Sequence, residues 1–236
     1  MTAVAKRAAR RVVNDSAPRP TMERIRVLVV DDHPAVLRGL RELLGDQPDC
    51  QVIAAVRSAQ EALSVAERED LDVAVVDYQL DGRSGLWVTR KLKRLPRPPR
   101  VVIYSAYCDG VLAAAAVVAE ADGLVSKGGP GSDLCEAVRG VARGRSWFPT
   151  VPWRLGEVMR RRLSAEEQAI FGMSLAGMVS AEIAQTLGIS ATGLESVRWE
   201  MLRKLETIDW DLTSTDRERK RSGVAAWRRV THVPAH

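Results

Sequence analysis

Leu71-Asp72-Val73-Ala74-Val75-Val76-Asp77-Tyr78-Gln79-Leu80-Asp81-Gly82 is the stretch on which the fold turns. Val73 to Val76 are small or β-branched and show no polar alternation, the pattern of a strand buried on both faces, as a parallel sheet requires. The run delivers one carboxylate, Asp77, to its end, and a glycine-bearing turn follows. In open α/β sheets ligand chemistry lies beyond the carboxyl ends of the strands, which makes Asp77 a candidate site residue.

The same unit recurs on both sides of this stretch. Ile25 to Val30 is an apolar run that ends in Asp31-Asp32-His33-Pro34, and Pro34 suits the first turn of a helix. Val36, Leu37, Leu40, Leu43 and Leu44 follow at helical spacing until Gly45. Further strands are predicted at 51–55, 72–76, 100–104 and 122–125, with helices at 59–68, 86–95, 110–119 and 132–143. Five β-α units in succession predict one doubly wound, flavodoxin-like, five-stranded parallel sheet with right-handed crossovers, spanning 24–145. Asp31 and Asp32 end the first strand, Asp77 the third and Ser105 the fourth, while Lys127 follows the fifth, so all five converge on one edge. Three carboxylates are hard oxygen ligands for Mg²⁺, which keeps an open position for a phosphate oxygen. Lys127 and the Ser105 hydroxyl can donate to a phosphoryl group, and a carboxylate so held can act as its acceptor.

The 236 residues, 46% hydrophobic and 28% charged, suit one large or two modest soluble domains. The longest apolar run, Val111 to Ala119, is too short to cross a bilayer, and no apolar segment follows the basic N-terminal residues as a signal peptide would require. Cys50, Cys108 and Cys135 lack metal-type spacing and suit a reducing, cytoplasmic setting as small buried hydrophobes. The net charge of +5 is unevenly spread. Residues 1–20 hold five basic and one acidic side chain, residues 21–143 hold 16 and 18, and residues 144–236 hold 14 and 11. That asymmetry fits one part handling a small charged ligand and another meeting a polyanion. Residues 1–23 are expected to form a disordered basic arm and 231–236 a loose tail.

After a linker at 146–162 the pattern becomes short helices without strands, expected to form a small all-α domain over 163–230. Ser164 and Glu167 have capping-box spacing, Ser180 and Ser190 can each cap a helix, and Gly188 suits the end of one. Two helices joined by Leu187-Gly188-Ile189-Ser190 are the helix-turn-helix arrangement, the second carrying Leu194, Val197, Met201, Leu202 and Leu205 inward. From Asp209 the chain holds Arg217 to Arg221 and one more amphipathic pattern at Val224, Trp227 and Val230.

Val29-Val30-Asp31-Asp32-His33-Pro34, Val76-Asp77, Tyr104-Ser105-Ala106 and Val125-Ser126-Lys127 resemble the receiver domain of bacterial two-component response regulators. Gly177 to Ser190, with Glu182-Ile183-Ala184, resembles the LuxR-type helix-turn-helix of the NarL/FixJ group. The resemblance implies phosphotransfer from a sensor histidine kinase to Asp77. It further implies Mg²⁺ held by Asp31, Asp32, Asp77 and the Gln79 backbone carbonyl, with Ser105 and Lys127 reading the phosphoryl group. A homodimer that regulates transcription is the expected working form, and no separate catalytic constellation appears. The chain departs from the family at Leu80-Asp81, where Met-Pro is usual, and at Leu124, where an aromatic rotamer switch is usual.

The helix-turn-helix is unusual in charge. Residues 163–206 contain Arg198, Arg203 and Lys204 against Glu166, Glu167, Glu182, Glu195, Glu200 and Glu206, whereas phosphate contacts favour a basic helix. Thr192, Glu195, Ser196, Arg198, Arg203 and Lys204 are the candidate DNA contacts, Glu195 toward cytosine N4 and Arg198 toward guanine or phosphate. The alternative is an acidic helix that meets a protein, RNA polymerase or another regulator, in place of DNA.

Overall fold

A computed structural model describes residues 24–148, 159 and 162–206. The expected N-terminal arm, the basic run Arg217 to Arg221, the helix through Trp227 and the tail lie outside the described residues. Five strands, β1 (Ile25–Val30), β2 (Cys50–Val56), β3 (Val73–Asp77), β6 (Arg100–Ser105) and β7 (Gly123–Ser126), form one sheet in the order β2-β1-β3-β6-β7. Every neighbouring pair is parallel. The strand containing Asp77 is therefore central, flanked by β1 and β6.

The period of two along each strand divides the apolar side chains between two layers. Val27, Val29, Val73, Val75, Val102 and Val125 pack with Leu37, Leu40 and Leu44 of α1 (Pro34–Gly45) and Leu134, Val138 and Val141 of α5 (Gly131–Ala142). Leu28, Val30, Ala74, Val76, Val101, Ile103 and Leu124 face the other way, toward α2 (Ala59–Arg68), α3 (Gly85–Leu92) and α4 (Gly110–Val118).

Three local departures from the sequence reading have physical causes. Helix α3 stops at Leu92, three residues before the predicted end, because Pro96 disfavours helical dihedrals at Leu95 and the chain closes in tight turns instead. Gln79–Leu80 and Arg83–Ser84 form a short antiparallel hairpin, β4 and β5, around Asp81-Gly82, with Gly82 at φ +75°, a left-handed conformation that glycine adopts without strain. Trp147, expected in the linker, belongs to the sheet edge: its carbonyl accepts from Leu124 N at 2.7 Å, and its N–H donates to Asp122 O at 2.9 Å.

Three helices follow, α6 (Ala165–Leu175), α7 (Ser180–Leu187) and α8 (Ala191–Glu206). Ser164 and Glu167 form the expected capping box, Ser190 Oγ accepts from Gly193 N at 2.9 Å, and Gly188 ends α7 at φ +65°. Ser180 does not cap. The cap position is Val179, whose N–H donates to the Glu182 carboxylate at 3.2 Å, and the Ser180 hydroxyl donates instead to Glu120 of the first domain. The two domains share a core: Ile170, Ile183, Leu194, Met201 and Leu202 join the same apolar cluster as Leu112, Ala113, Ala116 and Val118 of α4. Helix α4 is apolar all round, and such a helix must be covered on every side. The sheet covers one side and the helical domain the other.

Candidate functional site

The strands position the acidic site. β1 and β3 run in register, Val30 beside Val76, so Asp31 and Asp77 emerge side by side at the carboxyl edge. Asp31 and Asp77 are buried, and Asp32 is half-buried. Lys127, one residue beyond β7, reaches across with Nζ 2.7 Å from Asp31 Oδ2 and 2.8 Å from Asp77 Oδ2. Gln79 N donates to Asp77 Oδ1 at 3.3 Å, bending the chain into the hairpin. Gly85 closes the back: a Cβ there would lie 2.1 Å from the Asp77 carbonyl oxygen, so only glycine fits.

Burial pushes the Asp77 carboxyl above the ordinary aspartate range, with the Lys127 hydrogen bond opposing and the Asp31 charge adding to it. Lys127 experiences the converse. Burial favours its neutral form, but hydrogen bonds to Asp31 and Asp77 outweigh that and hold its pKa above the ordinary lysine value. Three carboxylates against one ammonium leave the pocket with excess negative charge. Donor atoms of Asp31, Asp32, His33 and Asp77 lie within 4.8 Å of one another. Asp32 Oδ1 is buried without a hydrogen bond, and the Nδ1 atom of the exposed His33 lies 2.6 Å away. An orphaned carboxylate oxygen beside two more carboxylates is a donor set suited to a hard divalent cation. Ser105, buried at the end of β6, accepts from Tyr107 N at 3.1 Å. Leu124 is fully buried in the core, and the Tyr104 ring centre lies 5.7 Å from Lys127 Nζ.

A second charged cluster, unforeseen in the sequence, lies at the domain junction. Arg90 of α3 is fully buried and pairs with Glu120, just beyond α4, and with Glu195 of α8. Arg94 pairs with the same two carboxylates. Arg198, also buried, lies 3.0 Å from Glu120, donates to Val118 O at 3.2 Å and to Ser174 Oγ at 3.2 Å. Burial lowers its guanidinium pKa, Glu120 opposing and Arg94 reinforcing. Of the six candidate DNA contacts, Glu195 and Arg198 are thus occupied by the first domain. Lys204 pairs with Glu167 at 2.8 Å and Arg203 with Glu200 at 2.5 Å, while Thr192 and Ser196 are exposed. The sequence signal that bears on this junction is the uniformly apolar run Val111 to Ala119, since a helix apolar all round needs a cover on its outer side.

Comparisons with known proteins agree with this architecture. Residues 27–139 match the response regulator receiver domain family. The chain is 31% identical over 182 residues to the transcriptional regulatory protein UhpA of Salmonella typhimurium, covering 77% of this chain and 91% of that one. It is 29% identical over 198 residues to the nitrate/nitrite response regulator protein NarP of Escherichia coli, covering 79% and 91%. Among solved structures, the two-component response regulator RcsB in a DNA complex superposes with a TM-score of 0.54 at 23% identity, covering 79% of this chain and 94% of that one. The receiver domain of a response regulator, NarL, from Mycobacterium tuberculosis superposes at 0.50 with 28% identity, covering 52% and 99%. The chain belongs to the two-component response regulators, and its helix-turn-helix places it in their NarL/FixJ group.

Proposed function

We propose that the chain is a transcriptional regulator that accepts a phosphoryl group on Asp77 from a sensor histidine kinase and acts on DNA through its helical domain. The observation that carries the first half is the convergence of Asp31, Asp32 and Lys127 on the one carboxylate that ends the central strand. Asp31, Asp32, Asp77 and the Gln79 carbonyl would hold Mg²⁺, which when bound neutralises the pocket and polarises the incoming phosphoryl group. Asp77 Oδ bonds to phosphorus as the donor–phosphorus bond breaks, its electron pair leaving with the donor, while Lys127 and the Ser105 hydroxyl donate to the transferred phosphoryl oxygens. Beyond uptake and loss of this phosphoryl group no further catalysis is assigned.

The second half rests on kinship with regulators such as UhpA and with the DNA-binding transcriptional activator DevR/DosR of Mycobacterium tuberculosis, 29% identical over 193 residues. In the arrangement described, α8 is covered by α4 on one side and approached by the β4–β5 hairpin on the other. A major groove about 12 Å wide cannot receive a helix so covered, so DNA binding requires the domains to separate. Phosphorylation acts by favouring the separated arrangement, which pairs as a dimer. The acidic charge of α8 favours a second reading, contact with RNA polymerase or another protein. Substituting Arg198 cannot decide between them, because Arg198 holds the domain junction. Thr192→Ala with Arg203→Ala is the decisive pair.

With Mg²⁺ and a small phosphodonor, the protein takes up one phosphoryl group and Asp77→Asn takes up none. Equal labelling of Asp77→Asn overturns the site. Phosphorylated protein binds duplex DNA, and the Thr192 and Arg203 substitutions weaken it. DNA binding indifferent to both favours the protein-contact reading.

A further inference from the structure

The receiver carries a charge feature that the acidic site does not use. From Gly82 to Cys108 the chain holds seven basic side chains and no acidic one, within a domain that is otherwise acidic. Lys93 and Arg100 are neutralised by Asp122, and Arg97 by Asp70. The others surround α3: Arg90 and Arg94 reach Glu195 of α8, Arg83 borders the cleft toward α8, and Lys91 lies beside Trp87, which also lines that cleft. Arg90 and Arg94 share Glu120 and Glu195. Arg83 and Lys91 have no carboxylate partner among the described residues and flank the Trp87 ring instead, at 4.8 and 5.4 Å from its centre. Arg83, Ser84 and Trp87 form one wall of a cleft of about 490 Å³, and Ser196, Trp199, Glu200 and Arg203 of α8 form the other.

Charge is distributed in reverse of what a helix-turn-helix needs. The recognition helix is acid-rich and the receiver face opposite it is basic, with an indole at its centre. In the described arrangement Glu195 of α8 sits on that face as an internal anion. Separation of the domains withdraws Glu195 and leaves Arg90 and Arg94 with Glu120 alone, beside the two cations that have no carboxylate. We propose that the α3 face formed by Arg83, Trp87, Lys91 and Arg94 binds the phosphate backbone of duplex DNA once α8 has left it, supplying phosphate contacts that α8 lacks. Glu195 then serves as the stand-in for DNA phosphate that closes this face in the resting protein. The inference rests on the DNA-binding reading above.

The test uses full-length protein with Mg²⁺ and beryllofluoride, a labelled mixed-sequence duplex, and affinity measured against salt concentration. Each lost phosphate contact lowers the log-log salt slope by about 0.9, so Arg83→Ala/Lys91→Ala should flatten it by roughly 2. Arg83→Lys should restore most of its share, since charge and not shape is required. Phosphoryl uptake serves as the folding control and should match the parent protein. A slope unchanged in the double variant but lowered by Arg203→Ala overturns the proposal and leaves DNA binding by α8 standing. If the parent protein binds no duplex, the DNA-binding reading falls and this surface with it. An unchanged DNA slope accompanied by lost binding to polyglutamate assigns the face to an acidic protein partner, which also overturns it.

Discussion

Among the described residues, two clusters of largely buried charge show opposite imbalance. At the acidic site three carboxylates surround one ammonium; at the junction three guanidinium groups, Arg90, Arg94 and Arg198, surround Glu120 and Glu195. Burying an uncompensated charge costs several kcal/mol, so neither cluster is complete as a closed set of side chains. The first has room for a cation and an incoming anion from outside. The second is largely compensated by the chain and by water: Arg198 also donates to the Val118 carbonyl and to Ser174 Oγ, although its Nε has no partner among the described residues, and the Arg94 side chain is partly exposed. An unfilled charge marks a place for a ligand; a charge filled across a domain boundary marks a joint.

The largest effect on this comparison should come from Arg90→Ala. Its guanidinium is fully buried and bonded to carboxylates of both domains. Removing one partner of a buried pair costs about 3–5 kcal/mol, and the partial exposure of both carboxylates places this case at the lower end, near 3. Urea denaturation should show that loss, and scattering should show an increased radius of gyration as the domains part. An Arg90→Ala protein as stable and compact as its parent would mean that apolar packing of α4 alone holds the joint.

The two clusters differ also in how far they can be read from the sequence. Asp31, Asp77, Ser105 and Lys127 each end or follow an apolar run, and parallel strands in sequence necessarily bring those ends to one edge. Their meeting is a consequence of topology, legible before any coordinates. Glu120 and Arg198 follow no such rule. They are far apart in the chain and meet because two domains dock, and an apolar helix announces that it needs a cover without naming which one. The charge of Arg198 on a recognition helix suggests a DNA contact, yet the side chain lies on the helix face toward α4 and Ser174. The hairpin at Asp81-Gly82 shows in the sequence only as a glycine-bearing turn, because flanking strands of two residues are too short to carry an alternating pattern.

Gly85→Ala probes the first cluster without touching a charge. The added methyl would meet the Asp77 carbonyl at 2.1 Å, a backbone atom in the central strand that cannot rotate aside. Overpacking of this kind costs about 1–3 kcal/mol. The strain falls on the peptide that aims Asp77, so phosphoryl uptake should slow more than Lys127 or Mg²⁺ contacts alone would explain. Loss of stability with an unaltered uptake rate would show that the pocket tolerates displacement of its central carboxylate.

The smallest effect, and the most discriminating, belongs to Arg94→Ala. Arg94 shares both carboxylates with Arg90, a helical turn away, so residue type, partners and neighbourhood are matched. What differs is water: the Arg94 side chain is 41% exposed and that of Arg90 is 0%. An exposed arginine can trade a carboxylate for solvent at little cost, and such pairs are worth at most about 1 kcal/mol and weaken in salt. Arg94→Ala should therefore lower stability by less than about 1 kcal/mol, with a difference from the parent that shrinks as salt is added. Under the same titration the Arg90→Ala deficit should hardly move. If the two substitutions cost the same, the joint acts as one network whose members share their charge, and the contrast between its buried and exposed arms disappears.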